Sequence, residues 1–149
     1  MFVAIRKHSA RDIAAHVTVY RKWLPGRLRS GHLIGFIAED ARGHALGSGC
    51  VWFQPDHPRP GHPQPRVPYV MSMFTEPRAR GRGVATAVVR AIVALARERG
   101  YRRVVLHAAP MGRPVYARLG FEATAEMRLN LESAPRKRAV GHRGRRAAT

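Results

Sequence analysis

The chain has 149 residues, of which 45% are hydrophobic, and this is enough for one domain with a buried core. It contains no run of 18 apolar residues, and its start, MFVAIRKHSARD, lacks an apolar signal segment. We therefore expect no membrane partner and a cytoplasmic location. The single cysteine, Cys50, excludes an internal disulfide framework and cannot by itself hold a metal ion.

The net charge of +18, from 27 Lys and Arg against 9 Asp and Glu, indicates an anionic partner. Nucleic acid is one candidate. However, the arginines are spread along the chain, which is also typical of a solvated basic surface. Residues 135–149, PRKRAVGHRGRRAAT, hold six basic residues and predict a disordered tail. We therefore expect one domain over residues 1–134, a basic tail over 135–149, and a main function other than nucleic-acid binding.

The first elements in chain order are a strand and a helix. FVAIRK at residues 2–7 is typical of a strand. Ser9 and Asp12 have the spacing of a helix-capping pair, so a helix is predicted to start there, run through Trp23 and stop at LPG.

A hairpin and a proline-rich loop come next. Two apolar runs, at 32–40 and 45–54, flank the turn ARGH and predict an antiparallel hairpin in which glycines mark bulges. Residues 55–68 hold six of the eleven prolines and predict an extended loop. His57 and His62 in this loop have only Asp56 as a nearby companion, so no metal site is predicted.

The second half of the chain predicts a βαβ unit. Its elements are a strand at 69–75, a loop at 76–83, a helix at 84–99, a strand at 101–108, a short helix at 113–119 and one or two strands at 121–131. The apolar residues of the long helix recur on one face, at Val84, Val88, Ile92 and Leu95, widened by Val89 and Ala96. The two strands of the βαβ unit should pair in parallel, so the predicted fold class is α/β with a mixed sheet.

The loop RARGRGVAT at residues 78–86 is the strongest candidate for a binding site. It lacks the Gly-Lys-Ser/Thr of a Walker loop, and Thr86 stands where a dinucleotide fingerprint needs a third glycine or alanine. What remains is Arg-x-x-Gly-x-Gly, at Arg78, Gly81 and Gly83, just before a helix. Unpaired N–H groups and the dipole of a helix start favour anions, and glycine lets a pyrophosphate approach them. An ordinary turn into a helix is the alternative interpretation.

A second motif, GRPVYARLGF, follows the next strand. Together with residues 73–89 and 104–108, the segment at 112–129 resembles the GNAT superfamily of N-acetyltransferases. The resemblance implies a mixed central sheet flanked by helices, whose fourth and fifth strands, here near 70–75 and 103–108, splay apart. It also implies that acetyl-CoA is the co-substrate, that no metal takes part, and that an amine of a small molecule or protein attacks the thioester directly.

The same resemblance implies the site residues by their matching positions. The strand backbone should pair with the pantetheine arm, and the loop amides should bind the pyrophosphate. The implied cofactor-binding residues are Met73, Phe74, Thr75, Arg80, Gly81, Arg82, Gly83, Val84, Ala85 and Thr86. Tyr116 matches the tyrosine that protonates the departing thiolate, with a core tyrosine packed against Leu119 and Phe121 as the alternative. Where relatives often carry a polar residue that contacts CoA, this chain has Ala108, Ala109 and Pro110.

The sequence leaves the general base and the acceptor open. No acid lies within YVMSMF, and the candidates for a base are Glu39, Asp40, Asp56, Glu76 and His107. The alternative interpretation of His107, which is favoured, is a half-buried strand histidine. The proline-rich loop is a candidate wall of the acceptor cleft. Because acids are few, a neutral or anionic amine is favoured over a polycation. A homodimer, a CoA-binding regulatory protein without turnover and a ribosome-associated module stay open as alternatives.

Overall fold

The computed structural model of the chain describes residues 10–127. The predicted strand at 2–7, the cap at Ser9 and the tail at 135–149 lie outside these residues. The elements, in chain order, are α1 (Ala10–Arg29), β1 (Leu33–Glu39), β2 (Ala45–Pro55), β3 (Arg66–Thr75), α2 (Val84–Glu98), β4 (Val105–Leu106) and α3 (Arg113–Arg118). Short 3-10 turns precede α2 and α3, at Pro77–Ala79 and Pro110–Gly112.

The first helix is longer than its sequence predicts. It continues past Trp23 through Pro25 and ends only at Arg29, so the predicted stop at LPG is wrong. The Trp23 ring packs edge-to-face on Trp52 of β2, with ring centroids 5.5 Å apart. This tertiary contact holds the helix against the sheet at the point where local propensity favours a break.

The sheet has the order β1-β2-β3-β4 and is mixed, as predicted. Strands β1 and β2 form the predicted antiparallel hairpin, with Leu33 opposite Trp52. Strand β3 runs antiparallel to β2, and β4 runs parallel to β3. The predicted fourth and fifth strands are therefore β3 and β4 of the described chain.

A bulge interrupts the pairing of β2 with β3. Ser48 lies opposite Phe74 and Cys50 opposite Met71, so Gly49 faces both Ser72 and Met73. Ser72 has a φ of +55°, the one positive φ of a non-glycine residue in the described part of the chain. A Cβ atom on Gly49 would overlap the Met73 side chain and lie 2.9 Å from a Val88 methyl carbon. Glycine is therefore required where α2 and the bulge approach the strand, which confirms that a glycine in this run marks a bulge.

The core lies between α2 and one face of the sheet. Val51, Phe53, Val70, Val88 and Ile92 form its buried cluster. The predicted apolar face of the helix is confirmed, with Leu95 partly buried against the cluster and the other members fully buried. Since side chains alternate along a strand, Trp52 points to the opposite face, where α1 packs.

Three predicted boundaries differ in the structure. The proline-rich loop is shorter than 55–68, because Pro55 ends β2 and β3 begins at Arg66. Pro68 is tolerated inside β3 because β4 pairs with that strand only from Tyr69 onward. The strand predicted at 101–108 is limited to Val105–Leu106, because only these two residues pair with β3.

A strand is predicted at 121–131, and the structure describes only residues 121–127 of this range. Residues 121–127 have no strand conformation, and residues 128–131 lie outside the described chain. In residues 121–127 only Phe121 is partly buried, packing on Tyr116, and the residues after it are exposed. No helix within residues 10–127 has the length and apolarity needed to cross a bilayer.

Candidate active site

The glycine loop connects the end of β3 to the start of α2. Gly81 and Gly83 have φ values of +72° and +81°, and Gly83 is the N-cap of the helix. A Cβ atom added at either glycine would meet no atom within 4 Å, so the space in front of the loop is open. The loop thus combines a backbone conformation that favours glycine with free access to the helix start.

The start of α2 has the properties of an anion site. Gly83 offers no side-chain cap, and no acidic residue lies in the first turn, so the first N–H groups of the helix, at residues 84–86, lack a capping partner. The side chains of Arg78, Arg80 and Arg82, which precede the helix by two to six residues, are exposed. Helix dipole, free N–H groups and arginine charge all favour an anion here.

Two of the sequence-implied binding residues are partly engaged within the loop. The Arg80 N–H donates to the Pro77 carbonyl at 3.4 Å, so this amide closes the 3-10 turn. The Arg80 side chain also donates from Nε to the Thr75 carbonyl at 3.4 Å. The turn thus already uses the Arg80 amide, and the predicted contact of this residue with the pyrophosphate stays a prediction.

A cleft opens between β3 and β4. Their parallel pairing consists of Tyr69 with Val105 and Val70 with Leu106. Strand β3 continues to Thr75, whereas the chain beyond Leu106 turns away into the 3-10 turn at Pro110–Gly112. This confirms the predicted splay, and it places Met73, Phe74 and Thr75 on the strand beyond the last pair.

Tyr116 lies on α3, the helix that follows β4 along the chain. Burial raises the pKa of its phenol above the ordinary value of 10.0. Its ring packs edge-on against Phe121, with centroids 5.9 Å apart, as the packing interpretation predicts. The tyrosine is therefore protonated at neutral pH, which an acid needs, while its catalytic role stays a prediction.

A row of three polar side chains near the parted strands is a feature that sequence reasoning missed. The Tyr69 hydroxyl lies 2.7 Å from Nδ1 of His107, and Nε2 of His107 pairs with the Glu126 carboxylate. His107 comes directly after β4 and its side chain is 52% exposed, so it is half-buried as expected but lies one residue beyond the strand. These residues are 38 and 19 positions apart in the chain, and no local pattern links them.

The row lines an open groove of about 500 Å³. Trp52 and Gln54 of β2 also line it. The indole Nε1 of Trp52 is buried and has no hydrogen-bond partner among the described residues. An aromatic and polar surface of this kind, next to a parted pair of strands, is suited to a small polar ligand.

Asp40, one of the acids considered as a base, has a structural role. Asp40 Oδ1 accepts from the backbone N–H groups of Arg42 and His44, at 2.8 and 2.9 Å, in the β1–β2 turn. The backbone hydrogen bond from His44 is the main reason why the pKa of Asp40 lies below its ordinary value. Glu39 ends β1 next to this turn, and Glu76 donates its N–H to the Leu46 carbonyl just past β3.

The proline-rich loop is fastened to the chain around β4. Asp56 accepts from Arg59 at 3.4 Å and pairs with Arg103. Gln64 donates from Nε2 to the Gly100 carbonyl at 2.8 Å. Asp56 is the part of the loop that lines the groove, so the hypothesis of a cleft wall rests on this residue.

The Asp56 pair predicts a loss of stability in acid. Burial raises the pKa of the Asp56 carboxyl, but the hydrogen bond from Arg103 and the charge of Arg59 outweigh burial, and the pKa lies below 3.8. The unfolded chain therefore binds this proton more tightly than the folded one. The stabilisation is complete above the unfolded pKa of about 4 and is lost as pH falls through the lowered folded pKa.

We expect Asp56→Asn to be less stable than the parent at neutral pH and its Tm to fall less steeply below about pH 4. Thermal melts between neutral and strongly acidic pH measure both effects. Melting curves that shift in parallel with pH would contradict the assignment.

The geometry can be compared with known proteins. Residues 4–121 match the model of a family described as the acetyltransferase (GNAT) family. The chain belongs to this family. Its membership confirms the sequence-based resemblance, the mixed α/β fold and the acetyltransferase class.

Solved structures agree with this assignment. A predicted acetyltransferase from Clostridium acetobutylicum, solved with acetyl-CoA, is 30% identical and superposes with a TM-score of 0.75, covering 87% of this chain and 82% of that one. A GCN5-related N-acetyltransferase from Ralstonia eutropha is 33% identical and superposes with a TM-score of 0.76, covering 85% of this chain and 83% of that one.

Among curated proteins, a glucosamine 6-phosphate N-acetyltransferase from Trypanosoma brucei brucei is 28% identical over 106 residues, which are 70% of each chain.

Proposed function

We propose that this GNAT protein transfers the acetyl group of acetyl-CoA to the primary amine of a small molecule. The observation that carries the proposal is the continuity of two features along β3. The strand parts from β4 after Val70, and at its far end the glycine loop opens the start of α2. An extended ligand with a thioester at one end and a pyrophosphate further along matches this arrangement.

The proposed binding mode uses backbone more than side chains. The exposed edge of β3 at Met73, Phe74 and Thr75 pairs with the pantetheine arm as an added strand would. The side chain of Met73 packs against the core, so this residue contributes only its backbone. Gly81, Gly83 and the amides of residues 84–86 then receive the pyrophosphate, with Arg82 beside it.

The proposed reaction is direct attack of a neutral amine on the thioester carbon. The leaving thiolate resembles a cysteine thiolate, with a pKa of about 8.5, and gains from protonation as it departs. Tyr116 is the proposed acid. Its raised pKa keeps the proton on the phenol until the thiolate forms.

Charge and the groove support a proposal for the acceptor class. A chain with a net charge of +18 attracts anions and repels polycations. The Trypanosoma relative is named for an amino sugar phosphate, a molecule that combines an amine with an anionic group. Trp52 and Tyr69 give the groove aromatic surfaces suited to a sugar ring. Amino sugar phosphates are therefore the first acceptors to test.

A two-step assay tests the proposed function. Acetyl-CoA at 100 times its Kd should stabilise the fold by about 2.7 kcal/mol, measured as a thermal shift. Release of free thiol should then depend on added amine, with an amino sugar phosphate faster than a neutral amino sugar and a polyamine slowest. Mass spectrometry of the acetylated amine confirms transfer.

The outcomes separate the alternatives. Stabilisation by acetyl-CoA without any acetylated product would indicate a CoA-binding protein without turnover. Absence of stabilisation, together with salt-dependent retention of RNA or DNA, would indicate a nucleic-acid-binding module.

A further inference from the structure

The groove of about 500 Å³ runs along the sheet from the point where β3 and β4 part. Its floor consists of neighbours across the strands that project from one face. These are Trp52, Tyr69 and Val105, followed by the residues two positions away on each segment, Gln54, Val67 and Arg103. His107 lies two positions from Val105 in the other direction, just past the last parallel pair. The groove therefore has one end at His107 and the other at Arg103.

The two ends of the groove differ in charge. At the Arg103 end, the Asp56 carboxylate pairs with Arg103 and also with Arg59, the latter at 3.4 Å. Two guanidinium groups against one carboxylate leave a net positive charge there. At the other end, the Glu126 carboxylate pairs with His107, so the net charge of that pair is zero or negative in either form of the imidazole. The groove therefore favours an anion at its Arg103 end.

Arg103 has hydrogen-bond donors left over for a ligand. A guanidinium carries five N–H groups, and among residues 10–127 only Nη2 of Arg103 donates to a partner, the Asp56 carboxylate. The side chain is 32% exposed, whereas that of Asp56 is 17% exposed and also accepts from the His57 backbone N–H at 3.0 Å. Asp56 thus holds one side of the guanidinium and leaves its other N–H groups open. Their planar fork matches the oxygens of a phosphate or carboxylate.

We propose that Arg103 binds a phosphate or carboxylate at the far end of the acceptor while the amine of the same molecule lies where β3 and β4 part. The inference rests on the acetyltransferase function proposed above, and it adds the residue that selects the acceptor. Asp56 is a positioning residue, because it orients the guanidinium.

The positions along the chain limit the length of the acceptor. Leu106 is the last residue of β4 that pairs with β3, and Arg103 precedes it by three positions. Three residues span at most about 11 Å, and the Arg103 side chain covers part of this distance. The aromatic ring of Trp52 lies on the groove wall between the two ends. The acceptor is therefore an anionic amine whose two charged groups are separated by a carbon skeleton that packs on Trp52.

The test uses two series of acceptors that differ only in the anion. One series contains terminal aminoalkyl phosphates of increasing chain length, beginning with phosphoethanolamine, and the other contains the corresponding amino alcohols. Longer carbon chains gain hydrophobic burial in both series, so the ratio of kcat/KM for the phosphate to that for the alcohol isolates the contribution of the anion. A third series of terminal amino carboxylates shows which of the two anions fits better.

Two variants are compared with the parent protein. Arg103→Gln removes the proposed anion ligand. Arg102→Gln is the matched control, because Arg102 is the adjacent residue, is exposed and carries the same charge, but does not line the groove. Both substitutions weaken the general positive field of the protein equally, and only the first changes the groove. Comparing each variant with the parent also cancels differences in basicity between the amines.

The expected result depends on chain length. In the parent, the ratio should rise with length and reach its maximum when the phosphate reaches Arg103. At that length, Arg103→Gln should lower the ratio about 30-fold, within the range for hydrogen bonds to charged groups, and Arg102→Gln should keep the parent ratio. Arg103→Lys should lower it only about 5-fold, because lysine keeps the charge but cannot bind the anion with a planar fork.

The outcomes separate this inference from the proposed function. A ratio that does not change with chain length, or an equal loss in Arg103→Gln and Arg102→Gln, would overturn the role of Arg103 and leave the acetyltransferase function intact. Failure of the parent protein to acetylate any amine would overturn the proposed function and this inference with it. Should Arg103→Gln misfold, seen as the absence of a thermal shift with acetyl-CoA, Arg103→Lys makes the same comparison with the charge opposite Asp56 retained.

Discussion

Replacing Gly83 with aspartate is expected to weaken acetyl-CoA binding about 100-fold, which corresponds to about 2.7 kcal/mol. Gly83 has a φ of +81° and open space around it. Aspartate adopts positive φ more readily than most residues and is a favourable N-cap, so α2 should still form. Its carboxylate would stand at the anion site and repel the pyrophosphate.

Gly43→Asp is the control for this substitution. Gly43 has a φ of +80°, and a Cβ atom there also meets no atom within 4 Å, but the residue lies in the β1–β2 turn. Calorimetric titration with acetyl-CoA should show a parent-like Kd for Gly43→Asp. Equal Kd values for the two variants would contradict the role of Gly83.

Replacing Tyr116 with phenylalanine is expected to lower kcat about 1,000-fold, within the range measured for general acids. The hydroxyl acts on the departing thiolate, so the Kd for acetyl-CoA should stay within about 2-fold of the parent value. Phenylalanine preserves the edge-on contact with Phe121 and therefore the packing of α3. Steady-state thiol release measures kcat, and a thermal shift with acetyl-CoA measures binding.

Tyr101→Phe is the matched control, because Tyr101 packs against Phe53 at 5.2 Å between ring centroids and supports the core. Its loss of a hydroxyl should leave kcat unchanged. Full turnover by Tyr116→Phe would show that Tyr116 is only a packing residue of α3.

The arginines around the glycine loop have a local explanation in this arrangement. Arg80 and Arg82 are exposed residues of the loop that leads to the uncapped start of α2, and Arg78 lies in the short turn before it. The body of the chain is basic throughout, so charge alone does not separate a pyrophosphate site from a nucleic-acid surface. The two glycines favour the pyrophosphate site over a nucleic-acid surface, because residues without a side chain leave the helix N–H groups open to a ligand.

Local patterns were enough to predict the hairpin, the glycine loop and α2. Val88, Ile92 and Ala96 repeat at helical spacing, and α2 buries this face as expected. Gly81 and Gly83 marked the loop in the sequence. Their positive φ values and open surroundings in the structure arise within this short segment. These features depend on interactions between residues that are close in the chain, so the local sequence is sufficient to predict them.

What the tertiary structure alone decided involves residues that are distant in the chain. The continuation of α1 through Pro25 depends on Trp23 meeting Trp52, and the shortness of β4 depends on where β3 leaves it. The row of Tyr69, His107 and Glu126 exists only because folding joins a strand, the end of its parallel partner and the segment after α3. From the sequence alone, the resemblance predicted the acetyltransferase fold, and the glycine pattern predicted an open helix start. Which side chains line the groove was decided by packing, because long-range contacts leave no periodic signal in the chain.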